Sequence, residues 1–351
     1  MTQPFTLIHD ADLRPLNSFG VVARARALAR VDSRDGLVAA LDCAEREGLH
    51  VEVLGGGSNV LIVDDLDALV LQPLLRGIEW LGQGDDGRIR VRAAAGENWH
   101  GFVGATLDHG AFGLENLALI PGNVGAAPIQ NIGAYGVELE HFVVGVEAFD
   151  RVERRFVRIE AADCGFSYRD SRFKHERGRH LIVAVEFALS GAAELRLDYA
   201  GMREELAAMG VSAPAPKDVY RAVSAIRRRK LPDPATLGNA GSFFKNPLVS
   251  TSQAERLKTE HPQLPVYPAA PGLSKLAAGW LIEHCGWKGL RDGEAGVHQQ
   301  HALVLVNHGH ASGREILALA RRIQADVQAR FGVGLEIEPR VLERSNVEST
   351  K

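Results

Sequence analysis

Residues 113–139 read GLENLALIPGNVGAAPIQNIGAYGVEL, and neither a helical nor a strand period runs through them. Glycine, alanine and proline recur at close intervals, so this long stretch lets backbone approach something bulky. The chain around it is strand-rich. VVARARALARV alternates small apolar residues with arginine and predicts a strand; Ser33 then caps a helix carrying Leu37, Leu41 and Cys43. NVLIVDDLDALVLQ predicts two short strands joined by an acidic turn, and RIRVRAAAG a third period-two run. A helix starts near Glu97, with Trp99, Phe102, Val103 and Leu107 on one face and His109 and Gly110 at its end. Strands resume at HFVVGVEAF, RFVRIE and LIVAVEFAL, the last apolar enough to be buried on both faces.

Residues 191–216, rich in alanine, glycine and proline, predict a crossing to a second unit over 217–335. PKDVYRAVSAIRRRK enters it as a helix with Val219, Val223 and Ile226 as the buried stripe, and KLAAGWLIEHCG reads as a buried helix. Ser312 and Glu315 match a capping box, ahead of a stripe of Ile316, Leu319, Ile323, Val327 and Phe331. LEIEPRVLE predicts a terminal strand within a 336–351 tail, with Glu336 and Glu338 facing away from the core.

Composition narrows the function. A chain of 351 residues that is 46% hydrophobic can bury a sizeable core in two or three domains. With 40 basic and 44 acidic residues, its charge is too balanced for a nucleic-acid footprint or an acidic-lipid surface, and suits a small, locally charged ligand. Cys43, Cys164 and Cys285 lie far apart with no CxxC, so neither a disulfide framework nor a zinc ribbon is expected, and a reducing cytoplasm is. MTQPFTLIHDADLRP lacks a basic region followed by an apolar stretch, and no segment approaches the roughly 20 apolar residues of a membrane span. A soluble, unprocessed protein is expected. His284, His298, His301, His308 and His310 show neither HExxH spacing nor a carboxylate partner, so no metal is expected.

LGGGSN, residues 54–59, follows a strand, and two readings are open: amides wrapping a phosphate, or a tight strand-to-strand turn. It is not the doubly wound dinucleotide fingerprint, because residue 60 is Val and a strand follows; no GxxxxGK[ST] loop exists either. Two glycine-rich segments exceed what connection geometry requires, however, and together they can line both sides of an extended diphosphate cofactor.

Asn17 to Gly20 (NSFG), LGGGSNVL, the whole 113–139 stretch, FSYRDSRFK, KLPDP, GNAGSFFKNP and KLAAGWLIE occur in this order. Together they resemble UDP-N-acetylenolpyruvoylglucosamine reductase from about residue 15 to 343. The resemblance implies an α+β fold: an FAD-binding domain of the vanillyl-alcohol-oxidase (PCMH) type over 15–190, in two α+β subdomains of about 15–72 and 73–190, plus a smaller α+β substrate-binding domain. It implies FAD, bound non-covalently, and NADPH as reductant. The reaction would be reduction of UDP-N-acetylglucosamine enolpyruvate to UDP-N-acetylmuramate in peptidoglycan synthesis, by a cytoplasmic monomer. FAD would be held by Leu54, Gly55, Gly56, Gly57, Ser58 and Asn59, by Pro121, Gly122, Gly125, Ala126, Ile132, Gly133, Ala134 and Gly136, and by Arg227.

Such a reduction needs a hydride at one alkene carbon, a proton at the other and stabilisation of the charge between. No amino acid supplies hydride, so flavin does. The resemblance makes Ser242 the proton donor, Arg169 the group that holds the substrate carboxylate, and Glu338 a stabiliser of the enolic intermediate. Read alone, Ser242 is a turn serine and Arg169 a surface partner of Asp170. The family's proline precedes the glutamate, whereas here Ile337 precedes and Pro339 follows; spacing from Phe331 and Arg340 favours Glu338 over Glu336. Tyr168, Tyr199, Lys230, Asn246, Tyr267 and His301 fall at substrate-binding positions. Tyr267 lies in the proline-rich loop of the longer subclass, and His301 stands where glutamine is common, adding pH sensitivity near the diphosphate. The competing reading, a flavin oxidase of the same fold, is disfavoured by GSFFKNP.

Overall fold

The computed structural model describes residues 4–343, which form two compact units. The first takes the chain up to Ala11, Ala25–Gly56 and Asp67–Arg229; the second takes Asp12–Arg24, Gly57–Leu66 and the chain from Lys230 on.

Two larger sheets build the first unit. One orders its strands Thr6–Asp12, Arg24–Val31, Leu66–Pro73 and His50–Val53, the last two parallel. Ser33 caps the Arg34–Arg46 helix by accepting from the Gly36 amide, as its sequence predicts. That helix buries Leu37, Ala40 and Leu41 against Val51, Leu69 and Leu71. The other sheet is antiparallel, ordered Arg155–Glu160, Val143–Asp150, His180–Leu189, Ile89–Ala94 and Ile78–Gln83. His180–Leu189 is its middle strand, which explains the near-continuous apolar run: Leu181 and Val183 join the first sheet's core, while Val185, Phe187 and Leu189 join Trp99 and Phe102. Asn98 caps the Trp99–Asp108 helix.

The predicted crossing is more structured than its composition suggested. It contains a Met202–Ala208 helix, on which Val219, Ala222 and Val223 of the Pro216–Lys230 helix pack. Because its buried stripe lies there, the helix expected to open the second unit belongs to the first, and the second resumes at Lys230 instead of 217. Similarly, Val60–Ile62 and Leu66–Pro73 both form, but they part: the former pairs in parallel with Arg340–Leu342 in the second unit.

The second unit otherwise holds a sheet of Gly238–Ser242, Val304–Asn307, Ala295–Val297 and Arg291–Asp292, and another of Leu248–Ser250, Leu273–Leu276 and Val266–Pro268. The Gly313–Phe331 helix carries the full capping box and buries its predicted stripe. Three expectations change. KLAAGWLIEHCG divides, since Lys275 and Leu276 are drawn into strand pairing and only Ala278–His284 is helical. The Tyr267 loop is half strand, with Tyr267 paired to Lys275. In the terminal segment Ile337 makes a single bridge to Phe244 and regular strand is confined to Arg340–Leu342; the rest of the predicted tail, 344–351, lies outside the described residues. No helix among the described residues is long and apolar enough to cross a membrane.

Candidate functional site

The two glycine-rich loops meet in the first unit. A Cβ built on Gly56 would stand 3.1 Å from the Gly122 Cα, so neither backbone leaves room for a side chain there. Among the described residues, none of the amides from Gly55 to Asn59 donates to a carbonyl, although the carbonyls of Gly57 and Asn59 accept from Ser18 and Arg340 within the second unit. A run of undonated amides at a glycine turn can hold an anion. Gly57, at φ +63°, passes so close to the Leu16 carbonyl that only glycine fits, and Gly125 lies 2.5 Å, by its virtual Cβ, from the Ala95 side chain.

Leu119, Asn131, Tyr135 and Arg169, all in loops of the first unit, are non-glycine residues held at positive φ. Each costs about 1–2 kcal/mol, so the surrounding contacts must hold them. The Leu119 amide donates to His100 Nδ1 at 3.0 Å and its carbonyl accepts from Arg227 Nε at 3.1 Å. Tyr220 stacks on His100 and its hydroxyl meets Nε2 at 3.0 Å. Tyr135 and Gly136 turn a hairpin between Gly133–Ala134 and Val137–Glu138, the two-residue turn that needs positive φ at both positions. Tyr199, nearly half exposed, packs edge-on against Tyr135. Pro121, Ala126 and Gly136 are exposed, while Ile132, Gly133 and Ala134 are half-buried.

Arg169 is carried to this loop. Buried Asn131 donates to the Ser167 carbonyl, and the Ser171 hydroxyl to the Ile129 carbonyl, pinning both flanks of the FSYRDS turn. Arg169 then donates to the Gly133 carbonyl at 2.6 Å, with its guanidinium over the Tyr168 ring. Asp170, its neighbour in sequence, instead meets His175 at 2.7 Å. Arg227, half-buried, is held below the usual guanidinium range chiefly by burial, with Arg169 adding to the effect.

In the second unit, Ser242 ends the Gly238–Ser242 strand after an irregularity in its pairing with Val304–Asn307. Gly241 at φ +70° and the Asn239 side chain, which accepts from the Gly241 amide, build a bulge that leaves Ala240 and Gly241 out of the ladder before the half-buried Ser242 pairs with Val304. Two residues separate the glutamates' surroundings. Glu336 is exposed and pairs with buried Lys245, whereas half-buried Glu338 has its amide bound to the Phe243 carbonyl, adjacent to Ser242, at 2.9 Å. Asn246 accepts from the Ala278 amide at 2.9 Å, satisfying the start of a helix whose own cap residue is alanine. Tyr267 is exposed, as is Lys230 at the end of its helix. His301 lies between strands, with Nδ1 enclosed and no hydrogen-bond partner among the described residues, as is His298 Nδ1. Burial first, then His298, Lys230 and Lys288, lowers the pKa of His301, so the ring is neutral at neutral pH. No group of three His, Cys, Asp or Glu among the described residues could hold a metal.

The sequence reading passed over His100, Tyr220, Asn131 and Asn239, which grip backbone instead of presenting chemistry. Only Asn131 carried a local signal, as an asparagine in a glycine-rich run, where left-handed backbone is tolerated.

A strand-rich α+β unit with two glycine loops pressed together, undonated amides on one and the half-buried Arg227 behind the other, suits an extended diphosphate cofactor and marks a cofactor-binding protein. A family model described as an FAD binding domain matches residues 25–154, and the residues present fit that cofactor. A second model, described as the UDP-N-acetylenolpyruvoylglucosamine reductase C-terminal domain, matches residues 233–342. Proteins named UDP-N-acetylenolpyruvoylglucosamine reductase from Xylella fastidiosa and Chromobacterium violaceum are 53% and 54% identical, covering 97% and 95% of this chain and 97% and 98% of their own. The crystal structure of the enzyme so named from Thermus caldophilus shares the fold, with a TM-score of 0.65 at 24% identity over 97% of this chain and 99% of that one. The chain belongs to the UDP-N-acetylenolpyruvoylglucosamine reductase family.

Proposed function

We propose that this FAD-dependent oxidoreductase reduces UDP-N-acetylglucosamine enolpyruvate to UDP-N-acetylmuramate at the expense of NADPH, in the cytoplasm and as a monomer, for peptidoglycan synthesis. The observation that carries the reading is Arg169: a cation held in left-handed backbone, with its guanidinium against the Gly133 carbonyl of the FAD loop, suits a carboxylate-bearing substrate presented to flavin. Reduced FAD, when bound, supplies the hydride that adds to one alkene carbon, and NADPH restores it.

The chain's own residues do the rest. Arg169 takes the enolpyruvyl carboxylate through paired N–H donors, so negative charge meets a fixed cation as it spreads onto that group. Ser242 gives its hydroxyl proton to the second alkene carbon; the resulting alkoxide regains a proton from solvent, which balances the addition of two electrons and two protons. Glu338 stabilises the enolic intermediate. Lys230 offers a point charge to the diphosphate, and His301 offers a ring N–H to it. Asn246, Tyr168, Tyr199 and Tyr267 supply hydrogen bonds and ring surface to the sugar nucleotide.

An anaerobic absorbance experiment tests this. The flavin of the purified protein should bleach with NADPH and recover its oxidised spectrum on addition of UDP-N-acetylglucosamine enolpyruvate. Bleaching without recovery would sink the proposed substrate.

A further inference from the structure

Leu119 is the hinge on which the second FAD loop turns. It stands at φ +57°, directly before Ile120, Pro121 and Gly122, and Gly122 is the residue whose Cα closes on Gly56. Both polar atoms of its backbone are taken by side chains: Arg227 donates to the carbonyl, and His100 Nδ1 accepts from the amide. An amide can bond Nδ1 only when that nitrogen carries no proton. The imidazole must therefore be neutral, with its proton on Nε2, where it donates to the Tyr220 hydroxyl 3.0 Å away. The near-parallel stack of the two rings, 6° between planes, leaves little freedom to turn away.

We propose that His100, oriented by Tyr220, is a positioning residue for FAD: its neutral ring sets the Leu119 turn, and protonation of Nδ1 releases the loop and the cofactor with it. In the cation, an N–H on Nδ1 would face the N–H of Leu119, and a hydrogen bond would become a repulsion at a residue that already carries backbone strain. The charged groups that act on the ring, Arg228 and Arg227, oppose the cation. Arg227 and Arg228 approach from the Pro216–Lys230 helix, the Tyr220 phenol comes from the same helix, and Asp108, ion-paired with Lys217, faces Tyr220. Burial and the two arginines lower the His100 pKa, so the neutral state persists through neutral pH and ends on the acid side of the usual histidine range.

The inference rests on the chain's being FAD-dependent, and the test separates the two. FAD release from the holoprotein is followed by free-flavin fluorescence from about pH 8 to about pH 5. The dissociation constant of the wild type should rise about tenfold on acidification. His100→Asn, whose amide oxygen can replace Nδ1 as acceptor without titrating, should keep the alkaline affinity and lose most of the acid rise. His100→Phe, which keeps a stacked ring without an acceptor, should bind about tenfold more weakly at every pH. Superimposable profiles for wild type and His100→Asn would overturn the proposal, and that pair decides even if the Phe variant does not fold. A wild type that never holds FAD would instead overturn the FAD reading itself.

Discussion

Arg169 and its neighbouring tyrosines apart, the two units meet their proposed ligands with different parts of the chain. The first offers backbone: amides from Gly55 and Gly56, close-set glycines at Gly122 and Gly125, and a Gly133 carbonyl, held by His100, Asn131, Ser171 and Arg227. The second offers side chains, Ser242, Asn246, His301 and Glu338, on strand ends and tight turns. A diphosphate cofactor with a broad ring system is well served by a fixed backbone surface, which no single side-chain substitution deletes. Proton delivery needs one particular atom, and a single substitution removes it. Damage to the first unit's glycine loops should therefore show as lost flavin or lost stability, and damage to Arg169 or to the second unit's side chains as lost turnover.

The largest expected effect lies on the side-chain side. Ser242→Ala should slow flavin reoxidation by the enolpyruvyl substrate about a thousandfold while leaving NADPH bleaching and flavin content intact. Stopped-flow absorbance reads all three, and loss of flavin from this variant would break the contrast.

Next comes a polar cluster of the first unit that is no part of the cradle. Asp150 is buried, accepts from the Val152 and Glu153 amides and the Arg179 guanidinium, and has its pKa held down to about 2 against burial by those bonds. Asp150→Asn should lower unfolding free energy by about 3 kcal/mol with FAD affinity unchanged. A depressed carboxylate stabilises the fold above its ordinary range and ceases to as pH falls through its folded value. Chemical denaturation should therefore show a wild-type loss between about pH 4 and about pH 2 that the variant lacks.

Gly125→Ala places a methyl 2.5 Å from the Ala95 Cβ and 3.0 Å from its Cα, and should cost about 1–3 kcal/mol and weaken FAD binding. Gly332→Ala, at φ +64° in open space in the second unit, should cost about 1 kcal/mol and leave flavin alone. Equal flavin loss in both would mean that the loss follows general destabilisation and not the glycine loop.

The smallest effect belongs to His301. Its pKa is lowered, so acidification below the ordinary histidine range adds a positive charge. Wild-type affinity for the UDP substrate should improve about two- to threefold there, and His301→Gln should not follow. Isothermal titration at two pH values checks it.

Much of this was legible because it is local. The Ser33 and Ser312 caps and the stripes of the long helices are short-range properties and appear as read. The close backbone approach of Gly56 to Gly122 and the positive φ of Gly57 likewise follow from glycine-rich backbone. Other features depend on partners distant in the chain. The adjacency of Arg169 and Asp170 suggested an ion pair, yet the arginine reaches Gly133 and the aspartate His175. KLAAGWLIEHCG has a helical composition, but pairing with Val266–Pro268 and Leu248–Ser250 takes its first residues into a strand. His100 sits in an ordinary helix, and nothing nearby shows that its ring meets Leu119.

By itself, then, the amino-acid sequence determined where backbone could bend, which faces were apolar, and which blocks mark the family. Only the tertiary structure decided that Glu336 is occupied by Lys245 while the Glu338 amide bonds beside Ser242, and that Leu119 is gripped from both sides. Period, caps and glycine torsions act over one or two turns of chain and are written in neighbouring residues. A side chain's partner is fixed by strand pairing and core packing across long separations, where residue identity alone leaves many choices equal.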